Sequence, residues 1–202
     1  MLKFQLESDT KISTTKTLTL GTLGPSGSSS DYVADYVTNQ FKTQNLRILA
    51  KLFENFFQVK EALFNKQIDW ALVPHAYNQI NEFYMESDFD LSFIFIYPTP
   101  VYGLAKKKDK NVTLKGATII SHPAPLPLLS KLLPEPLTIN DVKVELCSST
   151  SFAAIQVKQE LADFAITNEN AALANNLEFI AIYGNIKMSW SIFSRKQKEN
   201  EL

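Results

Sequence analysis

The chain has 202 residues, 45% hydrophobic and 20% charged, the balance of a soluble globular protein built as one body or two small lobes. With 20 Lys and Arg against 21 Asp and Glu, the formal charge of -1 gives no electrostatic footprint for nucleic acid or an anionic membrane. Cys147 is the sole cysteine, and His75 and His122 are the only histidines, so an internal disulfide is excluded and no dedicated metal site is expected.

Residues 1–15 are polar and aperiodic and read as a flexible tail. Glu7 and Asp9 stand where a secretory signal needs an apolar run, and no apolar stretch approaches membrane-spanning length, so a soluble, cytoplasmic protein is expected. The first strand is TKTLTL, ending at Leu20. It runs into GTLGPSGSSSDYVADYV, residues 21–37, which holds three of the six glycines directly between a strand and a helix. Free N–H groups at such a turn, with the hydroxyls of Ser26, Ser28, Ser29 and Ser30, can hold a carboxylate without arginine. That matters in a chain whose only arginines are Arg47 and Arg195. The alternative is an inert Gly/Ser connection.

RILAKLF around Ile48 reads as a strand, and the spacing of Phe53, Phe56, Phe57 and Leu63 predicts one apolar helix face. DWALVP is a strand closed by Pro74. It is followed by VPHAYNQINEFYM, which places His75, Tyr77, Asn78 and Tyr84 after a strand end, where open α/β sheets bind ligands. The competing reading is a loop or packing histidine. After SFIFIYPTPVYG, where Pro98, Pro100 and Gly103 mark a passage, VYGLA, ATIIS, VKVELC, DFAIT, LEFIAI and SWSIF read as short buried strands. LPLLSKLL and SFAAIQVKQEL have helical period. Three further strand-to-helix junctions carry small polar groups: Ser121 and His122 in ISHPAPL, Ser149, Thr150 and Ser151 in CSSTSFAA, and Thr167 and Asn168 in AITNENAA. Helix capping is the alternative at each.

Alternation of this kind predicts an α/β protein with mostly parallel sheets. Two lobes are expected, the first of about residues 16–99 plus 181–202 and the second of about 100–180, with a ligand cleft at the crossings. No nucleophile elbow, phosphate-binding loop, paired-carboxylate motif or dinucleotide fingerprint is present.

Taken in order, LGPSGSSSDYVA, VPHAYN, SHPAPL, SSTSFAA, AITNENAA and MSWSIFSR resemble the motifs of prephenate dehydratase catalytic domains over about residues 17–195. The resemblance implies a two-lobed, periplasmic-binding-protein-like (type II) fold. The departures are chemical. His75-Ala76-Tyr77 stands where that family has Ile-Glu-Asn, and Met188-Ser189-Trp190 stands where it has Thr-Arg-Phe.

These departures resemble the non-aromatising prephenate decarboxylases of bacilysin biosynthesis and their relatives in aeruginosin-type pathways. The resemblance implies loss of CO2 from prephenate, a shift of ring double bonds, retention of the 4-hydroxyl and no metal or organic cofactor. The expected partner is this small substrate, with no nucleic acid or membrane, and a homodimer is left open. His75, Tyr77 and Tyr102 are the candidate proton donors. Ser26, Ser28, Ser30, Asn78, Ser121, His122, Ser149, Thr150, Ser151, Thr167, Asn168, Met188, Ser189 and Trp190 are the candidate substrate contacts. Met188 cannot supply the acid that dehydration needs. A true dehydratase with a displaced acid and a silent acid-binding module remain as alternatives. Because the chain ends at Leu202, the phenylalanine response of bacterial dehydratases is expected to be missing.

Overall fold

The computed structural model describes residues 16–42 and 46–196, so the expected tail at residues 1–15 lies outside the described residues. The first elements are β1 (Lys16–Leu23), α1 (Ser29–Lys42), β2 (Leu46–Phe53), α2 (Phe56–Phe64), β3 (Trp70–Pro74), the single turn α3 (Asn81–Tyr84) and β4 (Phe89–Pro98). The chain continues through β5 (Tyr102–Lys107), β6 (Thr118–Ser121), α4 (Leu129–Leu132), β7 (Lys143–Leu146), α5 (Thr150–Lys158), β8 (Phe164–Asn168), α6 (Glu169–Ala174), β9 (Leu177–Gly184) and β10 (Lys187–Arg195). It forms two compact units. The first comprises residues 16–24, Ser30–Tyr97 and 188–196, and the second Pro25–Ser29 and Pro98–Lys187. Residues 181–187 therefore sit in the second unit, because β9 runs on to Gly184 as part of the second sheet.

Both sheets follow one plan. The first has strand order β2-β1-β3-β10-β4 and the second β7-β6-β8-β5-β9. In each, three strands are parallel neighbours, and a fourth, reached only after the chain has passed between units, runs antiparallel to the third. The sheets are thus mixed rather than mostly parallel. The direction of β5 and β10 is set by where the chain enters each sheet, which strand composition does not record.

The first sheet is covered on both faces, which is why WALVP in β3 is apolar throughout. Val33, Val37 and Phe41 of α1 pack with Leu20, Leu72, Trp190 and Ile192 on one side. Val59 and Leu63 of α2 pack with Ala71, Val73, Phe83 and Phe193 on the other. The buried face of α2 consists of Phe56, Val59, Ala62 and Leu63, so the expected face is corrected. Phe57 is 63% exposed, since one step from Phe56 turns it about 100° away, and Phe53 belongs to β2. In the second unit small residues let the helices sit close: Ala153, Ala154 and Val157 of α5 and Ala171 and Ala172 of α6 pack on Ala105, Ile120 and Ala165. Gly103 in β5 allows a similar approach, because a Cβ there would lie 2.5 Å from the Ala181 carbonyl oxygen of β9.

Candidate functional site

Strand alternation builds the first cluster, wholly within the first unit. Along β10, Trp190 and Ile192 enter one core while Phe193 enters the other, so Ser189 and Ser191 share the Phe193 face. Antiparallel pairing of Ser191 with Val73 and of Trp190 with Pro74 brings this face beside the residue that follows β3, His75. The His75 N–H donates to the Ser189 carbonyl at 3.0 Å, fixing the backbone of both. His75 Nε2 lies 2.7 Å from the fully buried Ser191 Oγ. The Tyr84 hydroxyl completes the group, 2.9 Å from Ser191 Oγ and 3.3 Å from His75 Nε2. Its ring stands edge-on to Phe193 at 4.9 Å. An imidazole held by two hydroxyls, on an exposed residue at a strand end, can exchange a proton with a bound molecule.

The neighbouring candidates differ in use. The Tyr77 ring packs on Phe56 at 4.6 Å, and its hydroxyl donates to Gln79 Oε1 at 2.9 Å. Burial, followed by the Glu82 charge, pushes the Tyr77 phenol up and keeps it protonated. Asn78 is exposed. Met188 packs against the core that Tyr32, Tyr36 and Tyr97 also cover. Burial first, then the hydrogen bond with Tyr32, pushes the Tyr97 phenol up to about 12. Trp190 is 1% exposed, a core side chain whose indole N–H donates to the Tyr97 carbonyl at 3.2 Å.

A second cluster lies within the second unit, at the carboxyl ends of β6, β7 and β8. Antiparallel pairing of Tyr102 with Asn168 sets the start of β5 there as well. The buried Tyr102 hydroxyl bonds Ser29 Oγ at 2.9 Å and the Thr150 side chain, and burial pushes its phenol up despite these bonds. Thr167 Oγ1 donates to the Thr150 carbonyl at 2.8 Å, tying β8 to the first turn of α5. Ser149 caps α5 by accepting from the Phe152 N–H at 3.0 Å, and Asn168 Oδ1 caps α6 by accepting from the Ala171 N–H at 2.9 Å. Gly27, with φ of 81°, lies against the start of α6: a Cβ there would sit 3.8 Å from the Ala171 nitrogen.

Two buried polar atoms of this cluster, Ser151 Oγ and Asn168 Nδ2, have no hydrogen-bond partner among the described residues. Buried polar groups in native proteins are nearly always satisfied, by protein, water or ligand, so an orphan hydroxyl and amide beside a helix start have bonding capacity left for a ligand oxygen or a water. The carboxylate nearest in sequence is spoken for, since Glu169 Oε1 accepts from the Val101 N–H at 3.1 Å. Ser121 Oγ donates to the His122 carbonyl at 2.8 Å. Burial lowers His122, leaving it neutral at pH 7, and its Nδ1 accepts from the Ala124 N–H at 3.2 Å.

No family model matches the chain. It is 51% identical over 196 residues to a prephenate decarboxylase from Planktothrix agardhii, covering 97% of both chains. A prephenate decarboxylase from Bacillus amyloliquefaciens is 38% identical over 193 residues, covering 94% of this chain and 92% of the relative. The chain belongs to the prephenate decarboxylase family. Among solved structures, a prephenate dehydratase from Arthrobacter aurescens in complex with L-Phe superposes with a TM-score of 0.67 at 14% identity, over 92% of this chain and 63% of that one. A periplasmic substrate-binding protein from Coxiella burnetii superposes with a TM-score of 0.57 at 17% identity, covering 91% of this chain and 87% of that one. These likenesses give the fold: a two-lobed, type II periplasmic-binding-protein-like α/β architecture.

Against the family pattern, the candidates fall into two groups. His75 and Ser189 are joined within the first unit, whereas Tyr102, Thr150, Thr167 and Asn168 come together in the second, with Ser149 and Ser151 on the same helix start. Ser26 and Ser28 lie in the loop before α1, in the second unit, while Ser30, buried, lies in the first turn of α1 and belongs to the first unit. Three further residues complete these groups: Tyr84 and Ser29, noted in their segments but not among the candidate donors and substrate contacts, and Ser191, which sequence reading missed. Period-two reading of MSWSIF was the available signal for Ser191, since it puts positions 189 and 191 on the face opposite Met188, Trp190 and Ile192.

Proposed function

We propose that the chain decarboxylates prephenate without aromatising it and keeps the 4-hydroxyl on the ring. The observation that carries this reading is the 51% identity to a prephenate decarboxylase over 97% of the chain. The chemistry balances simply. The bond between the quaternary ring carbon and its carboxylate breaks, CO2 leaves, and the electron pair shifts the adjacent ring double bond. A proton is taken up at the alkene carbon next to the carbinol. The product is a dihydro-4-hydroxyphenylpyruvate.

His75 is the proposed donor of that proton. Unlike Tyr77 and Tyr102, whose phenols burial pushes further from neutrality, it is an imidazole, the side chain suited to proton transfer near pH 7. The pyruvyl carboxylate is assigned to Ser149, Thr150, Ser151 and Asn168, a choice supported by the two orphan polar atoms. Tyr102 acts as the brace that holds Ser29 and Thr150 there. Met188 withholds the acid that would expel the 4-hydroxyl, a step that general acid catalysis accelerates by about 10²–10⁴-fold.

The proposed setting is cytoplasmic, at the entry to a bacilysin-like or aeruginosin-like peptide route. No helix among the described residues is long and apolar enough to cross a membrane. Incubation with prephenate tests the reading. CO2 release with ring alkene protons retained by NMR supports it. Phenylpyruvate, seen by its enol absorbance in alkali, would replace it with the dehydratase, and intact prephenate with a binding module.

A further inference from the structure

We propose that Ser191, seconded by Tyr84, is the positioning residue for His75 and selects the ring nitrogen that exchanges the proton. The inference rests on the reading of His75 as the donor. Ser191 Oγ, in a residue 0% exposed, is the nearest hydroxyl to His75 Nε2 at 2.7 Å, and Tyr84 O lies 2.9 Å from that Oγ. Two hydroxyls in series carry two protons. The phenol is the more acidic, so Tyr84 donates to Ser191 Oγ and Ser191 donates to His75 Nε2. An imidazole that accepts at Nε2 carries its proton on Nδ1. No group among the described residues bonds Nδ1.

Two further contacts hold the ring in place. The His75 backbone is pinned to Ser189, and the Tyr84 ring is wedged against Phe193. Nδ1 is therefore the edge left for substrate: as its proton moves to the ring carbon, Nε2 takes the Ser191 proton, Ser191 takes that of Tyr84, and Tyr84, on an exposed residue, is reprotonated by solvent. Both Ser191 and Ser189 lie on the MSWSIF strand, so the same segment that removes the dehydratase acid also supplies the histidine's support.

The test uses prephenate turnover with Ser191→Ala, Tyr84→Phe, His75→Gln and the double variant His75→Gln with Ser191→Ala. Release of the ring by Ser191→Ala is expected to lower kcat by roughly 10²-fold, the scale of a misplacement of about 1 Å, with KM within about twofold. Tyr84→Phe should lower kcat by about tenfold. The double variant should be no slower than His75→Gln, because a residue acting only through His75 adds nothing once His75 is gone. Long-range 1H–15N NMR of the two histidines, assigned by the set that vanishes in His75→Gln, should show the Nδ1–H tautomer in the native protein and its loss in Ser191→Ala.

A multiplicative further loss in the double variant, or an unchanged tautomer in Ser191→Ala, overturns the inference. An inactive His75→Gln beside a fully active Ser191→Ala would refute positioning and leave the donor reading standing. A fully active His75→Gln would remove the donor reading and this role with it. Should Ser191→Ala not fold, Tyr84→Phe carries the same kinetic and spectral readouts from an exposed position.

Discussion

Removing a single oxygen at Tyr102 separates the brace from the proton donor. In Tyr102→Phe the ring still fills its buried place, but Ser29 Oγ and the Thr150 side chain each lose a partner. A hydrogen bond contributes about 0.5–1.5 kcal/mol net, so two lost bonds cost roughly 1–3 kcal/mol. For a chain of this size that lowers Tm by about 2–4 °C per kcal/mol. The Ser29 bond anchors residues 25–29, and losing its share should raise KM for prephenate by about 2–12-fold, at tenfold per 1.4 kcal/mol. Steady-state kinetics and thermal unfolding followed by circular dichroism read both effects. Ser29→Ala cuts the same tether from its other end, so its KM effect should not add to that of Tyr102→Phe. A wild-type Tm together with a wild-type KM would refute the brace. A collapse of kcat at constant KM would instead make Tyr102 the proton donor.

Gly27→Ala should cost about 1–2 kcal/mol and raise KM, because φ of 81° is a left-handed conformation while the nearest atoms leave ordinary room; an unchanged Tm would refute the conformational argument. Asp141 accepts from the Thr138 N–H and hydroxyl, both at 2.9 Å, and these bonds hold its carboxyl below the usual value. A lowered native pKa stabilises above about pH 4 and is lost as pH falls through the native value, so Asp141→Asn should be less stable than wild type at pH 7, with the difference shrinking as pH falls below about 4 in urea titrations. The double change Met188→Thr with Ser189→Arg should raise the share of phenylpyruvate among products at equal folded fraction. An unchanged ratio in an active, folded variant would place product choice elsewhere.

The strands and the polar junctions were legible because their signals are local. DWALVP and DFAIT are unbroken apolar runs closed by a polar or proline residue, and each proved to be a strand buried on both faces. Ser149 was legible as a cap for the same reason. What escaped depends on pairing across the chain. Ser191 meets His75 across 116 positions, and Ser29 meets Tyr102 across 73, because β5 and β10 enter their sheets from the far side of a crossing. Trp190 illustrates the converse. Its place in a family motif drew it into the candidate set, but alternation along β10 sends it into the core opposite Ser189 and Ser191.

The scarcity of arginine bears on the chemistry as well as on recognition. Arg47 is exposed on β2 and Arg195 donates to the Phe64 carbonyl, so neither belongs to the cluster around His75 or to that around Tyr102. On the proposed reading the substrate has two carboxylates with opposite fates. The pyruvyl group stays and needs a firm hold, which neutral hydroxyls and amides at a helix start provide through dipoles already aimed. The ring carboxylate must leave as neutral CO2, so an arginine paired with it would stabilise the ground state more than the transition state and raise the barrier. The dehydratase route loses the same carboxylate, since phenylpyruvate carries an aromatic ring without it, so an uncharged Ser189 favours a step that the two reactions share, and what separates their products is the acid on the 4-hydroxyl that Met188 replaces.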